Sequence, residues 1–341
     1  MSTSVCTGKG ALTVRISVIL PTRNRAPLLD DCLASLAAQS LPVDLFEVLV
    51  IDNASSDDTE GVALRHANQL PLRYLFEPKV GLHMARHAGM RAARTDILVF
   101  GDDDIVADSD WLFSIDNAFR DTGVALVGGN SRPLFEAPPP AWLLRWWEHA
   151  VGKRHALSHL SILDFGEGQF DIDPGWIWGC NFSIRRSALL QAGGFHPDAM
   201  PAESLRLRGD GETSVSDSIR RAGLRARFHS GASVAHRVSA ARMSADYFEQ
   251  RSYAQGISDS YTDLRRKGGR SSILAVFARR LRAYVSTVRA IGTAGGGPAG
   301  RTLRAVRLRC LAGYMAGYAY HQKEVALDPD LRAWVLRENY F

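Results

Sequence analysis

Short runs of apolar, β-branched residues recur along the first 130 positions: 15–20 (RISVIL), 46–51 (FEVLVI), 72–76 (LRYLF), 96–100 (DILVF) and 124–127 (VALV). Runs this short, with little polar alternation, mark strands buried on both faces. Between them the rhythm changes. Leu28, Leu29, Cys32, Leu33 and Leu36 fall at helical spacing and predict an amphipathic helix over 26–39. Further helices are predicted over 58–68, 81–93 and 110–120. Pro21 is expected to stop the first strand. Strands and helices alternating at roughly 25–30 residues indicate an α/β fold, a mostly parallel Rossmann-like sheet flanked by helices.

The pattern changes after residue 128. Residues 138–149 (PPPAWLLRWWEH) form a proline-marked loop into an aromatic segment. Trp142, Trp146 and Trp147 read as core, whereas Trp176 and Trp178 flank a glycine turn and read as a platform for a sugar face. Helices are expected at 187–191 and after Glu212 as far as Arg221, and a strand from 228 to 235. From residue 240 the chain reads as helical with basic faces, interrupted at 267–269 and by a Gly-rich segment, 292–300, read as a mobile linker. The organisation is therefore a tail over 1–14, an α/β unit over 15–239 and a helical, basic region over 240–341.

Charge sharpens that division. The chain of 341 residues carries a formal +5, but residues 240–341 hold 17 Lys+Arg against 8 Asp+Glu. Residues 272–290 mix Ile273, Leu274, Val276, Phe277 and Leu281 with Arg279, Arg280, Arg282 and Arg289. Such a helix fits either packing on the α/β unit or contact with an anionic membrane. No apolar run is long enough to span a bilayer, and the first residues show no secretory leader. The four cysteines fit neither a zinc site nor a disulfide framework, so the expected compartment is reducing and cytoplasmic.

The candidate chemistry begins at Asp102-Asp103-Asp104, behind the buried run 96–100. Three adjacent carboxylates repel one another unless a cation neutralises them. Hard divalent ions prefer oxygen ligands, and ligands of open α/β sheets sit at the carboxyl ends of strands. The cluster therefore reads as a metal–diphosphate site, and an acidic helix-opening turn is its bland alternative. No G-x-G-x-x-G follows the first strand and no P-loop occurs, which excludes the usual dinucleotide and P-loop readings. Asp52, ending the second strand, is placed either to accept from a base N–H or to cap the next helix.

Six stretches in order resemble the inverting family 2 glycosyltransferases with the GT-A fold. They are Pro21-Thr22-Arg23-Asn24-Arg25, the turn from Asp52 to Asp57, Gly81 to Gly89, Asp102-Asp103-Asp104, Gly179 to Arg186 with Gly193-Gly194-Phe195, and Gly211-Glu212 before Arg220-Arg221-Ala222-Gly223. Three positions depart from the family pattern: His87 stands for Asn, Gly101 for a large apolar residue, and Gly211 for the first acid of a Glu-Asp pair.

The resemblance implies a transferase that moves a sugar from a nucleoside-diphosphate sugar, expected to be a UDP-sugar, to an acceptor hydroxyl. Pro21, Thr22, Arg23, Asn24, Asp52, Asn53, Arg86, Asp102 and Asp103 would bind the donor. Asp103, the middle acid, is expected to point away and to tolerate replacement. Asp104, Asp102 and His236 would hold Mg²⁺ or Mn²⁺, with His236 placed after the strand. Glu212 would be the general base and Asp210 its second candidate. Trp176, Trp178, Gly179 and Asn181 would meet a glycan, lipid-linked or small-molecule acceptor. No nucleic-acid partner is expected. The location implied is cytoplasmic, with peripheral contact at the inner face of the cell membrane. A nucleotidyltransferase and a non-catalytic nucleotide-sugar-binding protein are the alternatives; the first would need a glycine-bearing phosphate loop and the second would not need Glu212.

Overall fold

The computed structural model describes residues 14–149, 154–200, 202–270 and 273–341. The predicted tail falls outside these residues except for Val14. The first half runs β1 (Ile16–Thr22), α1 (Ala26–Ala37), β2 (Phe46–Asp52), α2 (Thr59–His66), β3 (Leu72–Phe76), α3 (Leu82–Ala92) and β4 (Ile97–Gly101). Then follow β5 (Ile105–Ala107), α4 (Trp111–Phe119), β6 (Val124–Gly128), β7 (Ser131–Phe135) and α5 (Ala141–Glu148). The middle contains β8 (His155–Leu157), β9 (Ile162–Asp164), β10 (Gln169–Ile172), β11 (Asn181–Arg185), α6 (Arg186–Gln191), α7 (Thr213–Arg221), β12 (Arg225–His229) and β13 (Val234–Val238). The chain closes with α8 (Ala245–Arg266), α9 (Ile273–Gly292), α10 (Gly297–Leu327) and α11 (Pro329–Val335).

The main sheet has eight strands in the order β10-β12-β6-β11-β4-β1-β2-β3. The β3-β2-β1-β4 half is parallel, as the continuous apolar runs require. Antiparallel β11 lies between β4 and β6. Alternate residues of β1 feed opposite cores. Ile16, Val18 and Leu20 pack with Leu29, Leu33 and Trp111 on one face, and Ile19 packs with Ala85, Phe100 and Leu189 on the other. Pro21 does not end β1: it pairs with Ile51, beyond the point where β4 stops pairing at Ile19. Gly101 departs from the family pattern because a Cβ there would lie 2.9 Å from Cδ1 of Ile105.

A second sheet, β5-β13-β7-β9-β8, was not legible in the sequence pattern. It places His236 inside β13 and not after a strand, opposite Ile105 of β5. The C-terminal region is closely joined to the α/β unit. Helices α8 and α10 pack together, and Phe248, Leu303 and Val306 enclose Trp142 in a further core. His87 Nε2 accepts from the Phe195 N–H (2.9 Å), so Nδ1 carries the proton and donates to the Tyr340 carbonyl (3.1 Å). The Gly-rich segment is shorter than expected as a linker: α10 starts at Gly297, Ala294 is buried, and Arg304 donates to the Gly295 carbonyl. No described helix is long and apolar enough to cross a membrane. Cys32, Cys180 and Cys310 are free and buried.

Candidate active site

Strand β4 lies between β1 and β11, so its carboxyl end delivers residues 102–104 beside the end of β1. One ligand atom each from Asp102, Asp104 and His236 lies within 4.8 Å of the others. Nε2 of His236 is 3.2 Å from Oδ1 of Asp104, yet that oxygen and His236 Nδ1 are buried without a hydrogen-bond partner. Buried polar atoms are rarely left this way. A carboxylate oxygen and an imidazole nitrogen converging with Asp102 fit a shared divalent cation. The other Asp104 oxygen meets Nη1 of Arg25 (3.4 Å) and of Arg242 (3.3 Å). Burial pushes the Asp104 carboxyl up, but His236, Arg242 and Arg25 together hold it below the usual range.

Asp103 does not point away. It is 3% exposed; its Oδ2 accepts from the Thr22 hydroxyl (2.8 Å) and its Oδ1 from Arg25 Nη1 (3.0 Å). Burial pushes its carboxyl to about 6 against the opposing pull of Arg25. Asp103 thus fixes the turn to the loop after β1.

A cleft of about 550 Å³ opens over this turn. Pro21, Thr22, Arg23, Arg25 and Asn53 line it, together with Ala199, Arg242, Tyr247 and Arg251. Arg25, Arg242 and Arg251 are site residues that the sequence reading missed. Arg25 was visible within the quoted motif, but Arg242 and Arg251 lie past the expected boundary at 239 and carried no local signal. Asn24 adopts φ +53° and its Oδ1 accepts from the Ser56 N–H (2.7 Å), so it shapes the loop. The Asn53 side chain bonds Glu77, Lys79 and Gly81, ordering the segment before α3. Asp52 is buried, with Oδ1 on the Ser55 N–H and Oδ2 on the Tyr74 hydroxyl, both 2.7 Å. Each carboxylate oxygen retains a further lone pair.

Arg86 connects the acidic turn to Glu212. It is 2% exposed and rises from α3. Its Nη2 is 3.4 Å from Asp102 Oδ1 and donates to the Gly179 carbonyl (3.1 Å), and its Nη1 is 3.9 Å from Glu212 Oε2. The Gly179 N–H in turn donates to Glu212 Oε1 (3.1 Å). A Cβ on Gly179 would sit 2.6 Å from Arg86 Nη2, so only glycine permits this approach. Glu212 holds the N-cap position of α7, and Gly211 before it has φ +56°. A side chain at 211 would be strained and would meet Asp198, which accounts for the missing acid. Burial raises the Glu212 carboxyl above the usual glutamate range; Arg86 opposes this and Asp198 reinforces it.

Two expected residues are occupied elsewhere. Asp210 accepts from Thr262 and contacts His196 Nδ1, both at 2.7 Å, in a separate pocket. The Asn181 amide donates to Ala232 and accepts from Trp111 Nε1, and it is 2% exposed, so it holds strands and loops together and does not face an acceptor. Trp176 is 43% exposed, with its ring 6.4 Å from that of Trp178, and neither lines the cleft.

Residues 17–190 match the model of the family described as Glycosyl transferase family 2. The chain is 29% identical over 199 residues to a validoxylamine A glucosyltransferase of Streptomyces hygroscopicus subsp. jinggangensis, covering 54% of this chain and 47% of that one. It is 36% identical over 117 residues to the glycosyltransferase AglE of Haloferax volcanii, covering 34% of this chain and 38% of that one. The matches thus span less than half the length of these curated relatives. A mannosyltransferase from Pyrobaculum calidifontis, solved in complex with GDP-Man and Mn²⁺, has a similar fold: TM-score 0.58, 19% identity, 90% of this chain and 88% of that one. The mixed sheet flanked by helices is the GT-A architecture.

Proposed function

Because the chain belongs to glycosyl transferase family 2, we propose that it moves a hexose from a nucleoside-diphosphate sugar to an acceptor hydroxyl, with inversion at the anomeric carbon. The observation that carries this reading is the chain of contacts from Asp102, in the cleft lining, through buried Arg86 to Glu212. It joins an acidic turn suited to a diphosphate to a carboxylate whose raised pKa suits a base.

In this reading Asp52, Asn53 and the 21–25 loop receive the nucleoside. Arg25 and Arg242, now on Asp104, face the diphosphate and offset its charge. Asp102, Asp104 and His236 would hold Mg²⁺ or Mn²⁺, which when bound stabilises the charge of the departing diphosphate. Oε1 of Glu212 stays on the Gly179 N–H, leaving Oε2 to take the acceptor proton. The acceptor oxygen bonds to the anomeric carbon as the sugar–phosphate bond breaks on the opposite side, and the electron pair leaves with the nucleoside diphosphate. Arg86, held on Asp102 and Gly179, then faces a neutral Glu212. The exposed Trp176 and half-buried Trp178 precede Gly179 in the chain and are proposed to meet the acceptor. The glucosyltransferase relative supports a hexose donor, and a UDP-hexose is the first to test.

The outer face of α9 supports peripheral contact with an anionic membrane at the cytoplasmic side. Leu274, Phe277, Leu281 and Tyr284 are more than half exposed there, and the helix carries arginines but no acid. Sedimentation with anionic vesicles, lost in a Phe277→Glu/Leu281→Glu variant, tests it.

The test of the function is turnover of UDP-, GDP- and dTDP-hexoses with Mg²⁺ or Mn²⁺ and with EDTA. One of them is consumed only with the metal, and NMR shows the product anomer inverted. Metal-independent turnover, or retention, contradicts the proposal.

A further inference from the structure

A second cavity, of about 450 Å³, lies between α8, α9 and α10, with Trp146 of α5 at one wall. Arg251, Arg279, Arg282 and Arg307 line it, and no carboxylate does among the described residues. Their states differ. Arg279 is neutralised by Asp259 (3.6 Å) and Asp263 (2.8 Å). Arg307 is 6% exposed and lies 5.1 Å over the Trp146 ring; its Nη1 donates to the Ala290 carbonyl, and its Nε is without a partner. Arg251 and Arg282 have no hydrogen bond or ion pair among the described residues. The remaining wall is amphipathic, with Leu311 and Trp146 beside Ser286 and Thr287.

Arg282 is exposed and Arg251 half-buried, and guanidinium groups that line one cavity with no carboxylate in its lining suit an anion. The adjoining indole and aliphatic surface suits an apolar group next to it. The cavity also adjoins the cleft described above, because Arg251 lines both. The charge of Arg251 acts on Asp198, and Asp198 acts on Glu212.

We propose that the cavity between α8, α9 and α10 binds an amphipathic phosphate ester, with its phosphate on Arg251, Arg282 and Arg307 and its apolar group against Trp146 and Leu311, and so anchors the acceptor beside the cleft. The acceptor role rests on the glycosyltransferase reading, whereas the binding does not. EDTA removes any divalent cation that would help an anion into the cleft with the three carboxylates.

Calorimetric titration of the full chain in EDTA tests this with octyl phosphate, inorganic phosphate and octyl glucoside. Octyl phosphate binds one to one, at least tenfold tighter than either of the others. Arg251→Glu and Arg282→Glu each weaken it tenfold or more, and Arg301→Glu, on the exposed face of α10, does not. Binding of octyl phosphate that survives both the Arg251→Glu and Arg282→Glu substitutions overturns the site. Equal binding of inorganic phosphate overturns the amphipathic ligand. Metal-dependent donor turnover in the wild type separates the two claims: its presence without octyl phosphate binding removes this subsite alone, and its absence removes the transferase reading beneath it.

Discussion

Nη1 of Arg86 lies 3.9 Å from Oε2 of Glu212, while Nη2 of the same guanidinium reaches Asp102 at 3.4 Å. One planar fork thus spans the acidic turn and the proposed base. Lysine, a single point charge on a flexible stem, cannot hold both. Arg86→Lys is expected to lower kcat by about 10- to 100-fold, the size of a lost orienting contact. Steady-state kinetics check this, with circular dichroism confirming the fold. Unchanged kcat would remove Arg86 from the site's organisation.

Glu212 must be ionised to accept a proton. Burial raises its pKa, so the active form is lost as pH falls through a value above the ordinary glutamate value of about 4.3. The acid limb of the kcat profile should therefore sit above that value. Arg86 favours the ionised form, so Arg86→Met should move the limb to still higher pH. A limb that moves lower in Arg86→Met contradicts the assignment.

Asp103 is expected to resist replacement. Asp103→Ala leaves the Thr22 hydroxyl, 3% exposed, without its acceptor and costs about 1–3 kcal/mol. Denaturant unfolding measures the loss. A variant as stable as the wild type would mean that the turn does not depend on this contact.

Asp104 and His236 are expected to govern metal affinity. Asp104→Asn and His236→Ala should each weaken Mn²⁺ binding at least about tenfold, since even partners one shell further out commonly have such effects. Electron paramagnetic resonance titration reads free Mn²⁺ directly. Unchanged affinity in both variants would place the ion elsewhere.

The parallel half of the sheet was legible because strands buried on both faces leave unbroken apolar runs, and α1 and α3 carry helical spacing. The second sheet was not. Strands β5, β8 and β9 are three residues long, and β13 alternates buried and half-buried positions around His236. The acids of the site could be read because they cluster or follow strand ends. Their cationic partners could not: Arg242 stands 138 residues from Asp104, and the pairing of β13 with β5 brings its neighbourhood to the cleft. Asp210 and Asn181 misled because residue type and position alone do not show that a side chain is already bonded.

The account turns on Glu212 as the proton acceptor. Glu212→Gln keeps the shape and can still accept from the Gly179 N–H, but the amide cannot take a proton. The decisive measurement is transfer rate and donor affinity in this variant, side by side with the wild type. Transfer should fall by at least about 10²–10⁴-fold while the donor dissociation constant changes little. Transfer at the wild-type rate would contradict the account.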